Sequence, residues 1–85
     1  MAEPIVQVNL WSGLRRFTGG ELVVPVQAGT VGRMLDALVR AHPGLEPVIK
    51  AGVSVAIDGE VVTDGLHREI GPENEIYLMQ RIAGG

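Results

Sequence analysis

The chain has 85 residues, 46% of them hydrophobic, which is enough for one small domain with a core but not for a spacious internal active site as well. It contains no cysteine, so disulfides, thiolate metal sites, iron–sulfur clusters and a cysteine nucleophile are excluded. Seven basic against ten acidic residues give a net charge of −3, the wrong balance for a protein whose main partner is nucleic acid.

The N-terminal Met1-Ala2-Glu3-Pro4 carries an acid where a signal peptide has Lys or Arg, and no apolar run approaches the roughly 20 residues that span a bilayer. A soluble cytoplasmic protein with no membrane partner is expected. Ile5 to Trp11 alternates, with Val6, Val8 and Leu10 on one side and Gln7 and Asn9 on the other, as a strand with one buried face does. Ser12 to Gly20, with Gly13, Gly19 and Gly20, reads as a turn. Glu21 to Val26 then places Leu22, Val24 and Val26 inward. Pro25 lacks an N–H, which sends this second strand to a sheet edge.

Thr30 is a suitable N-cap for a helix whose buried stripe is Val31, Met34, Leu35, Leu38 and Val39. Asp36 and Arg40 stand four apart on its exposed side, where they support each other weakly. Pro43-Gly44 ends the helix. A loop with Pro47 leads to Val53-Ser54-Val55-Ala56-Ile57, the tight-turn pair Asp58-Gly59, and a short return through Glu60-Val61-Val62. Residues 63–74 are mostly polar, and Glu75 to Gln80 is the last strand, with Ile76 and Leu78 inward and Tyr77 and Met79 outward. The order β–β–α–β–(β)–β predicts an α+β domain over residues 1–80, a mixed sheet with one main helix across one face. Residues 81–85 are expected to form a flexible tail.

Chemistry inside this domain is hard to find. Gly29-Thr30-Val31-Gly32 lacks the Gly-Lys-Ser/Thr ending of a phosphate loop, and a helix cap explains it better. His42 ends the helix, where the dipole favours a partly cationic imidazole. His67 lies in a polar loop with no nucleophile motif to activate, and the two histidines are too far apart for a local metal motif. No metal site is expected. Glu73 and Glu75 have the ordinary fate of solvated carboxylates. The charge is nonetheless uneven: residues 51–75 hold Asp58, Glu60, Asp64, Glu69, Glu73 and Glu75 against Arg68 alone. That is either a solvated rim or an acidic docking surface for a basic partner.

The sequence ends Arg81-Ile82-Ala83-Gly84-Gly85. At 12 glycines in 85 residues, a terminal pair arises by chance in about 2% of sequences. Together with the helix entry Gly29-Thr30-Val31, the stripe Met34-Leu35 and Leu38, and the hairpin Val55-Ala56-Ile57-Asp58-Gly59-Glu60, this end resembles the ubiquitin-like sulfur carrier family. That family includes the small subunit of molybdopterin synthase and the thiamine-pathway sulfur carrier. The resemblance covers nearly the whole chain and implies a β-grasp fold. It further implies that an E1-like adenylating enzyme uses ATP to activate the Gly85 carboxylate. Sulfur from a donor such as a cysteine desulfurase or rhodanese then converts the adenylate to a thiocarboxylate, which serves a sulfur-accepting synthase, its large subunit or an equivalent.

On this reading the chain is a carrier or co-substrate and not itself an enzyme, and it binds no cofactor of its own. Gly85 is the reacting residue and Arg81, Ile82, Ala83 and Gly84 form the arm that delivers it. Six extended residues from Gln80 reach about 20 Å into a partner, and Gly84 supplies backbone freedom. With no cysteine present, the travelling sulfur has only the terminal carbonyl to sit on. Outward Tyr77 and Met79, extended by Val23 and Trp11, are the expected partner-binding face. A molybdopterin-type role is favoured, although Gly71-Pro72-Glu73-Asn74-Glu75 replaces the Gly-Asp-Glu turn of those members, and Met79-Gln80-Arg81 replaces their prolines. Thiamine- and cysteine-pathway carriers, a ubiquitin-like modifier conjugated through Gly85, and an interaction module with an inert tail are the alternatives.

Overall fold

The computed structural model describes residues 3–62 and 65–80. Five strands form one mixed sheet in the order β2-β1-β5-β3-β4. They are β1 (Ile5–Leu10), β2 (Val23–Gln27), β3 (Val53–Ile57), β4 (Glu60–Val61) and β5 (Ile76–Gln80). β5 lies at the centre, parallel to β1 and antiparallel to β3. The alternation in β1 is as expected, with Val6, Val8 and Leu10 buried. β2 is an edge strand, as Pro25 requires.

Helix α1 (Val31–Ala41) covers one face of the sheet. The Thr30 hydroxyl accepts the Arg33 N–H at 3.3 Å, as an N-cap should. Val31, Met34 and Leu38 are fully buried, but Leu35 and Val39, expected in the same stripe, are only half-buried. They stand over clefts, Leu35 beside β3 and β4 and both residues beside the following helix. Asp36 and Arg40 remain exposed. The helix is tied down at its start instead, where Arg33 pairs with Glu3 at 3.1 Å and the same Glu3 oxygen accepts the Gly29 N–H at 3.1 Å.

Three further sequence expectations need correction. Ser12–Phe17 is not a bare turn but a 3-10 helix whose Leu14 is wholly buried. Leu22, expected inward, is 47% exposed, because β2 begins only at Val23, after a bend that follows Gly19 and Gly20 in left-handed conformations. The stretch around Pro47 is a second helix, α2 (Glu46–Ala51), entered through a 3-10 turn at Pro43–Leu45. Proline suits the first helical turn because its missing N–H would have no partner there anyway.

The Asp58-Gly59 turn joins β3 to β4 with positive φ at both residues, 53° and 86°, which favours Asp and Gly there. Asp58 also fastens this hairpin to the start of β5. Its Oδ1 accepts the Glu75 N–H and its Oδ2 accepts Asn74 Nδ2, both at 2.8 Å. The Glu75 N–H, and after it the Asn74 amide, hold the Asp58 carboxyl below its usual range. A carboxyl whose pKa falls on folding adds stability above its unfolded pKa of about 3.9, and that stability fades as pH drops through the lower folded value. Asp58→Asn keeps the left-handed backbone but loses the charge. Its melting temperature is expected below wild type at pH 7, with the gap closing only under pH 4 in parallel thermal scans. A gap independent of pH would contradict this assignment.

Candidate functional site

Strand register assembles the outward face. Across the sheet, Val23 stands opposite Asn9, Asn9 opposite Tyr77, Tyr77 opposite Ala56, and Ala56 opposite Val61. The next row holds Met79 opposite Ser54. Trp11 follows Leu10, the partner of Leu78, and its N–H donates to Leu78 O at 3.2 Å. All four residues expected on the partner face therefore fall on adjacent rows. Tyr77 is 37% and Trp11 53% exposed, Val23 is exposed, and Met79 is half-buried. Asn9 interrupts the apolar row, but its Nδ2 donates to Ile76 O at 2.9 Å, so the polar group is engaged with the sheet itself.

Sequence reading missed Val61, which is 56% exposed at the far end of the Tyr77 row. The signal was present: a two-residue Asp58-Gly59 turn fixes Glu60 opposite Ile57 and Val61 opposite Ala56. The tail residues Arg81, Ile82, Ala83, Gly84 and Gly85 lie outside the described residues. β5 fixes where they begin, since Gln80 pairs with Val53 at the end of the central strand.

The start of α1 is closed to a phosphate. Val31 N–H donates to Arg68 O and Gly32 N–H to Leu66 O, both at 3.0 Å, and Arg33 N–H donates to Thr30. The donors that would cradle an anion are thus already used. His42 caps the end of α1 and its N–H donates to Leu38 O, whereas His67 is exposed in its loop. Among the described residues no group of three or more His, Asp or Glu side chains is placed to hold a metal ion. No helix among them is long and apolar enough to cross a membrane.

A five-stranded mixed sheet with β1 and β5 parallel at its centre, crossed by one main helix, is the β-grasp fold of ubiquitin-like proteins. The chain belongs to the ThiS family, whose model matches residues 8–85, and so to the ubiquitin-like sulfur carriers that its sequence resembles. SAMP1 from Haloferax volcanii is 30% identical, with a TM-score of 0.76 over 95% of this chain and 99% of that one. A chain in the Amycolatopsis orientalis BexX/CysO complex is 28% identical, with a TM-score of 0.74 over 94% of this chain and 99% of that one. Small archaeal modifier protein 1 from Methanosarcina acetivorans, at 23% identity, shares the fold, with a TM-score of 0.82 over 100% and 99% of the two chains. No curated protein sequence matches the chain.

Proposed function

We propose that this chain carries sulfur as a thiocarboxylate on Gly85. The family match that runs from the first strand to Gly85 carries this reading. In the first step an E1-like partner joins the Gly85 carboxylate to the AMP of ATP and releases pyrophosphate. Sulfide then attacks the carbonyl and expels AMP, leaving the thiocarboxylate. Where the sulfur arrives as a persulfide from a desulfurase or rhodanese, the product is an acyl disulfide, and a thiol must reduce it to the same end. The anionic sulfur is then presented to an acceptor enzyme. The chain is the substrate of these partners, and the chemistry needs no side chain of its own.

The apolar rows of Trp11, Val23, Tyr77 and Met79 serve as the face on which such partners dock, and Arg81 to Gly84 are the arm that delivers Gly85 to them. Aromatic and Met side chains provide contact area of the kind that anchors interfaces. Molybdopterin, thiamine and cysteine synthesis all remain compatible acceptor routes, and the pathway is set by the partner. A second reading draws on a specific neighbour: SAMP1, at 30% identity, bears the name of a modifier. In that case Gly85 forms an isopeptide with a lysine.

Intact-mass measurement of chain isolated from its host, and after incubation with its E1-like enzyme, ATP and sulfide, separates these readings. Replacement of one C-terminal oxygen by sulfur is the expected result. A carboxylate unchanged after that incubation overturns carriage, and adducts on target lysines in place of the thiocarboxylate establish the modifier.

A further inference from the structure

The surroundings of the tail's point of departure follow from the topology. β1 is parallel to β5, so both strands end on the same side of the sheet. The 3-10 helix Ser12–Phe17 continues from β1 and touches both β5 and the 3-10 turn Pro43–Leu45. That turn leads through α2 to Val53, the residue paired with Gln80. The 3-10 helix and the end of α2 therefore flank Gln80, the last described residue of the chain.

The exposed cations on these two elements are Arg15, Arg16 and Lys50. The Arg16 guanidinium lies 4.9 Å from the centroid of the Phe17 ring, an apolar platform that restrains it. Glu46 reaches Lys50 at 3.9 Å, and Glu21 is the other acid near this end. The opposite end, where β1 and β5 begin and β3 turns, carries Glu3, Asp58, Glu60, Glu69, Glu73 and Glu75 with Arg33 and Arg68. A chain of net charge −3 thus gathers six of its ten acids at the entrance of β5 and places its only consecutive arginine pair at the exit. Five residues of β5 at about 3.3 Å each separate the two ends by more than the Debye length of about 8 Å at physiological salt. A partner at the tail exit consequently meets the arginines with the acids of the opposite end screened, and only Glu46 and Glu21 oppose them locally.

We propose that Arg15 and Arg16, with Lys50, form a cationic rim that seats on an acidic protein surface at the mouth of the cleft receiving the tail. The proposal rests on the carrier reading and specifies its partner's chemistry. Guanidinium forks match carboxylates bidentately, and complementary charge speeds and orients encounter. The rim brings the protein in tail first, with its acidic end turned away.

One test needs no partner enzyme. The full chain is titrated at low salt with a decaglutamate peptide while backbone amide shifts are followed. Shifts centred on residues 12–17 and 50–53 are expected. They fade at high salt, disappear in R15E/R16E and persist in the far-end control E60K/E73K. Absent shifts, or shifts that survive R15E/R16E, overturn the rim. Equal shifts with inorganic pyrophosphate assign it to phosphate and overturn it as a protein-docking surface. With the host's E1-like enzyme and ATP, R15E/R16E is expected to raise KM for the carrier about tenfold with kcat unchanged, and an unchanged KM overturns the proposal. If wild-type chain is not adenylated at all, the carrier reading fails, and the decaglutamate titration still decides the rim by itself.

Discussion

Removal of Gly84 and Gly85 is expected to abolish activation by the E1-like partner while leaving the melting temperature unchanged. The buried core described here runs from Val6 to Leu78, so the deletion withdraws no core side chain. The chemical loss has two sources. The new terminal carboxylate, on Ala83, stops about 7 Å short of where Gly85 would place it. It also brings a Cβ beside the carbonyl that must be attacked, where glycine has none. A misplacement of about 1 Å can already cost about a hundredfold, so a loss of about a thousandfold or more in kcat/KM, ~4 kcal/mol of barrier, is expected. ATP–pyrophosphate exchange dependent on the carrier measures it. Exchange retained by the truncated chain would sink the tail chemistry, and a lowered melting temperature would show that the tail is part of the fold. Gly85→Ala keeps the length and isolates the effect of the Cβ, with a smaller loss expected.

The parts of this molecule legible in its sequence are those where one local rule acts alone. Val6, Val8 and Leu10 alternate because β1 has one buried face, and Thr30 caps α1 because its hydroxyl can reach Arg33. Asp58-Gly59 specifies its turn through positive φ. What escaped was decided by tertiary packing. Leu14 sits among glycines and arginines with no periodicity to mark it, yet the 3-10 helix drives it into the core. Pro47 reads as a breaker, but at the first turn of a helix it breaks nothing. Leu22 fits the alternation of β2 and fails because the strand starts one residue later. The outward face could be read because β5 alternates cleanly. Its breadth from Val23 to Val61 required the pairing of four other residues across the sheet. The acidic stretch 51–75 was legible in the sequence, but the basic pole was not: Arg15 and Lys50 come to the same end only because β1 and β5 are parallel and β3 runs against them.

Leu78→Ala is expected to be the most damaging single core substitution, and its neighbour Tyr77→Ala among the mildest. Both lie on β5 at the centre of the sheet. Leu78 points under α1, has no exposed surface, and stands between Leu10 of β1 and Val55 of β3, themselves nearly buried. Truncating such a leucine leaves a cavity the flanking strands cannot collapse into without shifting the ladder, at a cost of about 3–4 kcal/mol. A domain of this length has a total stability of about 4–13 kcal/mol, so a drop in melting temperature of about 15–25 °C is expected. Urea titration of the variant measures it, and a loss under about 1 kcal/mol would contradict the packing described. Tyr77 points the other way and is already 37% exposed. Tyr77→Ala should cost the fold less than about 1 kcal/mol but weaken binding to the adenylating partner about tenfold or more. Calorimetric titration with that partner checks it: an unchanged dissociation constant would remove Tyr77 from the docking face. If both substitutions destabilised the fold alike, the second face of the sheet would be core rather than interface.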